Sequence, residues 1–204
     1  AIALMWKYRK SVPYLMTEHS TEYHRGSLGN PFISWLKKKI ASNASVITPV
    51  SENLGEAMRK KELKGKYEVV NNVVNTSVFY SPAQKNNSRI TFLHISTLDD
   101  RQKNISGMLR AIARLSQANS NFELQIIGDE EYRHHLEYAK ELGVLNKTVF
   151  FHGTKTLKEV SDSMRASDCF VMFSNYENFP CVIAEAMTCG LPVVSTDVGG
   201  IGEH

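Results

Sequence analysis

Short runs rich in Val, Ile and Phe punctuate the second half of the chain, at 90–95, 122–127, 148–151, 169–173 and 193–195, and helical patterns separate them. The clearest helical stretch carries Ile105, Met108, Leu109, Ile112 and Leu115 on one face, and others are expected over about 132–142, 156–166 and 181–189. Near-continuous apolar strands joined by helical crossovers fit a parallel sheet covered on both faces. The expected architecture is therefore α/β and Rossmann-like, and ligands in such sheets bind outside the carboxyl ends of the strands. Residues 174–182 fall at such an end.

The first half shows a shorter series of the same kind. A strand is expected at 14–17, a helix over about 31–42, a strand at 45–49, a helix after Ser51 and a strand at 67–70. The opening residues read as the tail of a helix, with Lys7, Arg9 and Lys10 where the helix dipole favours positive charge. A polar, turn-rich segment over 71–88 joins the halves. Two units are expected, 1–75 and 76–204.

Composition excludes several classes. With 42% hydrophobic and 22% charged residues among 204, the chain is ordinary for a globular protein that buries a real core. No apolar run is long enough to span a bilayer, and no cleavable signal pattern is visible. Cys169, Cys181 and Cys189 make no metal or CxxC spacing and read as reduced thiols of a cytosolic protein. His134-His135 is expected on an exposed helix, Asp99-Asp100 reads as a solvated helix start, and no bound metal is expected. The net charge of +3 hides an asymmetry: residues 1–86 hold 13 basic and 6 acidic residues, while residues 87–204 hold 11 and 15. The basic half lacks the interleaved aromatics of an RNA-binding motif, and an acidic lipid surface or a phosphorylated acceptor suits it at least as well as nucleic acid, which is not the expected partner.

The most informative stretch runs Glu177-Asn178-Phe179-Pro180-Cys181-Val182-Ile183-Ala184-Glu185, continues through Ala186-Met187 to Gly190-Leu191-Pro192-Val193-Val194-Ser195-Thr196, and closes on Gly199-Gly200. Pro180 suits a first helical turn, while Gly190 and Pro192 end that helix. Glu177 then lies in the loop before the helix and Glu185 about a turn and a half inside it. Backbone N–H groups at Phe179, Cys181 and Val182 lie where a helix start can hold a phosphate or diphosphate.

These residues closely resemble the E-x7-E signature of family 4 retaining glycosyltransferases of the GT-B fold, and Ser174 to Gly200 matches nearly every fixed position of that family's loop. The resemblance implies a nucleotide-sugar donor, two facing Rossmann-like domains and metal-independent transfer that keeps the anomeric configuration. It also implies that this chain holds the end of the N-terminal domain and most of the C-terminal, nucleotide-binding domain, both incomplete, as an internal fragment of a longer enzyme. Two departures stand out. The domain-crossing P-N-G-V-D motif reads Asn71-Asn72-Val73-Val74-Asn75 here, and the family's diphosphate-gripping Arg is replaced by Thr97.

By that resemblance Glu177 and Lys103 are the catalytic candidates, with Lys103 supplying positive charge to the leaving diphosphate. Glu185 accepts the ribose hydroxyls, and Asn178, Phe179, Pro180, Cys181 and Val182 surround the diphosphate. Gly199 and Gly200 let backbone approach it, Thr97 borders it, and Thr154 borders the base. His19 lines the acceptor side. Trp35-Leu36-Lys37-Lys38-Lys39-Ile40 combines apolar and basic residues compatible with docking on an anionic membrane.

The expected function is thus a retaining, metal-independent hexosyl- or other glycosyltransferase of the cytoplasm or inner membrane face, without a cofactor. It uses a nucleoside diphosphate sugar and a glycan or lipid-linked acceptor in polysaccharide biosynthesis. Alternatives are a GT-B-like nucleotide-sugar epimerase, for which no acid/base cluster is visible, and a non-catalytic nucleotide-binding module, toward which Thr97 points. A dinucleotide-dependent dehydrogenase is disfavoured because no G-x-G-x-x-G follows a strand and Gly128-Asp129-Glu130 is a poor phosphate loop.

Overall fold

A computed structural model describes residues 2–24, 26, 28–81, 89–128 and 132–203. Asp129 and Glu130 of the turn just mentioned, residues 82–88 of the connecting segment, and the terminal Ala1 and His204 lie outside the described residues. The chain divides into two compact units. One comprises Ala1–Asn72 with Tyr176–Phe179 and Val198–His204; the other comprises Val73–Asn175 with Pro180–Asp197. The sequence suggested a single cut between 75 and 76, whereas the first unit also takes in two short stretches from the second half.

The first unit contains α1 (Ile2–Lys10), β1 (Leu15–Glu18), a 3-10 turn (Thr21–His24), α2 (Pro31–Asn43), β2 (Val46–Pro49) and α3 (Glu52–Lys60). The side chain of Asn30 accepts from the Ile33 amide to start α2, with Pro31 in the first turn, and Ser51 does the same for α3 through Leu54. Strands β1 and β2 pair in parallel, Leu15 opposite Val46 through Glu18 opposite Pro49. Fully buried Ile47, Leu54 and Met58 centre the core.

The strand expected at 67–70 is reduced to an isolated bridge between Ile47 and Tyr67. The segment still runs beside β2, since Glu68 donates to Ile47 and Val70 donates to Pro49. Pro49 has no N–H to return to the carbonyl of residue 68, so the alternation of a parallel ladder stops there.

The second unit holds β3 (Ile90–Ser96), α4 (Asp100–Lys103), α5 (Ile105–Ala118), β4 (Phe122–Gly128), α6 (Arg133–Glu141), β5 (Val149–Phe151), α7 (Leu157–Ala166), β6 (Cys169–Met172), α8 (Cys181–Thr188) and β7 (Val193–Ser195). Its five strands pair in parallel in the order β5-β4-β3-β6-β7. The apolar face of α5 packs Ile105, Leu109 and Ile112 against Phe122, Leu124 and Ile126 of β4. The chain leaves β3 in one direction and later returns to β6 on its other side, which makes the β3/β6 boundary the switch point where such sheets open a crevice. Thr156 and Glu159 form a reciprocal capping box on α7.

Candidate functional site

The loop leaving β3 carries Thr97, exposed, and leads through Asp99, which caps α4 by accepting from the Arg101 amide, to Lys103 at the end of that helix. Lys103 is 9% exposed, so its stem is held within the unit. Asn104 next adopts the left-handed conformation (φ 49°) and caps α5 through the Gly107 amide. A capping Asn there lets the short α4 end and α5 begin without a linker, and so fixes where Lys103 sits. Asp100 is turned inward: its carboxylate accepts from the Ser106 amide and hydroxyl, which hold its pKa below the usual value against the opposing effect of burial.

The loop leaving β6 lies beside it. Asn175 donates its amide to the Gln102 carbonyl (2.7 Å) and its side chain to the Arg101 carbonyl (2.9 Å), joining the two carboxyl-end loops at the switch point. Ser174 is buried with its hydroxyl unpartnered among the described residues, while its carbonyl accepts from Thr196 Oγ1. The helix α8 starts at Cys181 as the sequence suggested, with Pro180 at its N-cap and not inside its first turn, and Pro180 offers no side-chain cap. Cys181 is exposed and Val182 half-buried at the helix start. Glu185 is half-buried on α8, and burial pushes its carboxyl above the ordinary carboxylate pKa. Thr154, exposed, follows β5 beside Gly153, whose carbonyl accepts from the Gly128 amide.

The remaining candidates gather in the first unit. Glu177 and Asn178 are 5% and 4% exposed. Asn178 donates to the His19 carbonyl (2.7 Å), and Phe179 packs against the core while its carbonyl accepts from Asn72 (3.1 Å). His19 is exposed at the carboxyl end of β1, where Glu18 accepts from the His19 and Ser20 amides and from the Tyr23 hydroxyl. Gly199 and Gly200 press against the same stretch. A Cβ on Gly199 would lie 1.7 Å from the Glu177 carbonyl oxygen, and one on Gly200 2.0 Å from that of Asn178. The backbone these glycines approach is therefore that of the Glu177–Asn178 loop.

Several residues of weight were missed from the sequence. Glu203 accepts from the Glu52 and Asn53 amides (2.8 Å each), placing a carboxylate on the start of α3. His135 is buried, not exposed, and its Nε2 donates to the Leu98 carbonyl (2.9 Å). His94 is wholly buried and lies beside the Thr97 loop. The i, i+4 pair His135 and Ala139 was the available signal for α6, but Arg133, His134 and Glu137 around it made that helix look solvated. Among the described residues no group of three or more His, Cys, Asp or Glu side chains is placed to hold a metal ion. No described helix is long and apolar enough to cross a membrane.

Two parallel α/β units, the second with its carboxyl-end loops meeting at a switch point, define the class, and solved structures share the fold. It is the GT-B glycosyltransferase fold. Sucrose-phosphate synthase from Thermosynechococcus elongatus superposes with a TM-score of 0.80 at 23% identity, covering 97% of this chain and 54% of that one. The Anabaena protein HepE in complex with UDP-glucose gives 0.74 at 20% identity, covering 99% and 58%. Residues 80–204 match the family of glycosyl transferases group 1, and the chain belongs to that family. In sequence, lipopolysaccharide 1,6-galactosyltransferase of Escherichia coli is 26% identical over 132 residues, 63% of this chain and 36% of that protein. The chain spans about half the length, or less, of the curated relatives it matches.

Proposed function

We propose that the protein is a retaining glycosyltransferase of family 4, transferring a hexose or other sugar from a nucleoside diphosphate donor to a glycan or lipid-linked acceptor in polysaccharide biosynthesis. The observation that carries this reading is the E-x7-E run itself. Its first glutamate is buried in a loop fitted by two glycines, and its second is half-buried on the helix that follows, in a chain of the group 1 family. UDP-sugars are the first donors to test, because the similar Anabaena fold was solved with UDP-glucose.

In this reading Lys103 brings a full positive charge to the diphosphate, and the start of α8 adds backbone donors and a dipole contribution of about 0.3 to 1 kcal/mol. Glu185 accepts the ribose hydroxyls, a role suited to a carboxylate partly removed from water. Glu177 faces the donor sugar or orients the groups around the diphosphate, and His19 serves the acceptor side. Thr97 and Thr154 border the diphosphate and base. The chemistry asks for positioned donors and cations in place of a bound metal. Contact with an anionic membrane on the cytoplasmic face is supported by α2, where exposed Phe32 and Trp35 stack at 6.1 Å and Lys39 is exposed.

Calorimetry of UDP, GDP, ADP and NAD with the full-length protein, with and without chelator, tests the proposal. Micromolar binding of one nucleoside diphosphate, weakened tenfold or more (about 1.4 kcal/mol) by Glu185→Ala and by Lys103→Ala, is expected. Absence of binding, or indifference to both substitutions, assigns the fold to another task.

A further inference from the structure

Leu98 is a bulky residue in the left-handed region, with φ at 61°, in the loop between β3 and α4. Such a conformation is strained outside glycine and persists only where the surroundings hold it. Here every part of Leu98 is held. Its side chain is 2% exposed and lies so close over Gly128 that a Cβ there would meet Leu98 Cγ at 2.3 Å. Its amide donates to Ser96 Oγ (3.1 Å), and its carbonyl accepts from His135 Nε2 (2.9 Å).

Ser96 is in turn set by His94. The Nδ1 of His94 faces the Val171 carbonyl (2.8 Å) and must carry the ring proton; its Nε2, 2.8 Å from Ser96 Oγ, is then the acceptor, and the serine hydroxyl donates to it. That leaves a Ser96 lone pair for the Leu98 amide. One imidazole thus fixes the loop from its amide side, the other from its carbonyl side. Between these anchors sits Thr97, exposed at the switch point, and directly after them come Asp99, α4 and Lys103.

We propose that His94 and His135 are positioning residues: two buried imidazoles that lock Leu98 in its strained conformation, one through Ser96 and one directly, and so hold the Thr97-to-Lys103 segment in place for the donor diphosphate before it binds. The inference rests on the reading of that segment as the diphosphate contact. Its benefit is preorganisation, since a loop already held loses no freedom when the ligand arrives.

The test separates the phosphates from the rest of the ligand. For the nucleoside diphosphate that the wild-type protein binds best, affinity is compared with that of the matching nucleoside in wild type, His135→Leu and His135→Gln. Selective loss is expected in His135→Leu: diphosphate affinity falls tenfold or more, nucleoside affinity changes less than about twofold, and His135→Gln, which restores a side-chain N–H, recovers most of the difference. Should His135→Leu not fold, Ser96→Ala, at a half-buried position, removes the link between His94 and Leu98 and is expected to show the same selective loss. The proposal is overturned if nucleoside and diphosphate weaken together, if the diphosphate binds the folded variants as it binds wild type, or if Gln behaves as Leu. A wild-type protein that binds no nucleoside diphosphate overturns the donor reading itself and this inference with it, a result distinct from the others because it needs no variant.

Discussion

The side-chain amide of Asn178 donates to the backbone carbonyl of His19 at 2.7 Å, joining residues 159 positions apart. Asn178 is 4% exposed and its Oδ1 has no partner among the described residues, and its amide bond ties the loop of the first glutamate to the carboxyl end of β1. Asn178→Ala removes it and leaves a carbonyl without its donor. A destabilisation of about 1 to 2 kcal/mol is expected in denaturant unfolding. Unchanged stability would mean that water replaces the bond at no cost.

Gly199 and Gly200 make a stricter demand. At φ 61° Gly199 tolerates no ordinary side chain, and its Cβ position overlaps the Glu177 carbonyl oxygen. Gly199→Ala must displace the Glu177 loop, and a loss of about 3 kcal/mol or more, with loss of donor binding, is expected. A folded Gly199→Ala variant of wild-type affinity would show that the loop's position is immaterial to binding.

His94 gives a pH dependence of defined sign. Burial is the main cause that pushes its pKa from 6.5 to about 4, aided by the positive charge of Lys103, while the Val171 hydrogen bond opposes the shift. The unfolded chain therefore binds a proton between those values that the folded chain refuses. Stability from this group is complete above about pH 6.5 and is lost progressively as pH falls toward 4, by up to roughly 3 kcal/mol at about 1.4 kcal/mol per unit. Unfolding free energies of wild type and His94→Gln, measured across that window, should converge as pH drops. Parallel curves would refute a buried neutral His94.

Cysteine reactivity reports on the start of α8. Cys181 is exposed, Cys169 is half-buried with its thiol pKa raised chiefly by burial, and Cys189 is buried. One thiol, Cys181, should react fast with iodoacetamide, and a bound nucleoside diphosphate should slow it several-fold. Mass spectrometry of the labelled peptide reads both. Labelling at an equal rate with and without ligand places the diphosphate elsewhere.

Much of the second unit was legible because strand and helix periods are local signals. The runs at 90–95 and 193–195 appear as β3 and β7 within a residue, and the helix after Asn104 starts where its cap lies. The ladder beyond β2 was not legible, because Tyr67 to Val70 has strand composition and only its neighbour Pro49, which has no N–H to give back, interrupts the alternation. The inward turn of His135 was equally hidden, since its partner, the Leu98 carbonyl, is 37 residues away.

What the sequence by itself determined is the alternation of strands and helices, the caps that start α2, α3, α5 and α7, and the motif that names the candidate residues. Those depend on side chains within a few positions of one another. The tertiary structure alone decided that Gly199 and Gly200 fit against the Glu177–Asn178 backbone, that Glu203 reaches the start of α3, and that Leu98 is held by His135 directly and by His94 through Ser96. Each of these depends on how closely distant segments approach, and such a distance is set by packing, which no local pattern in the chain records.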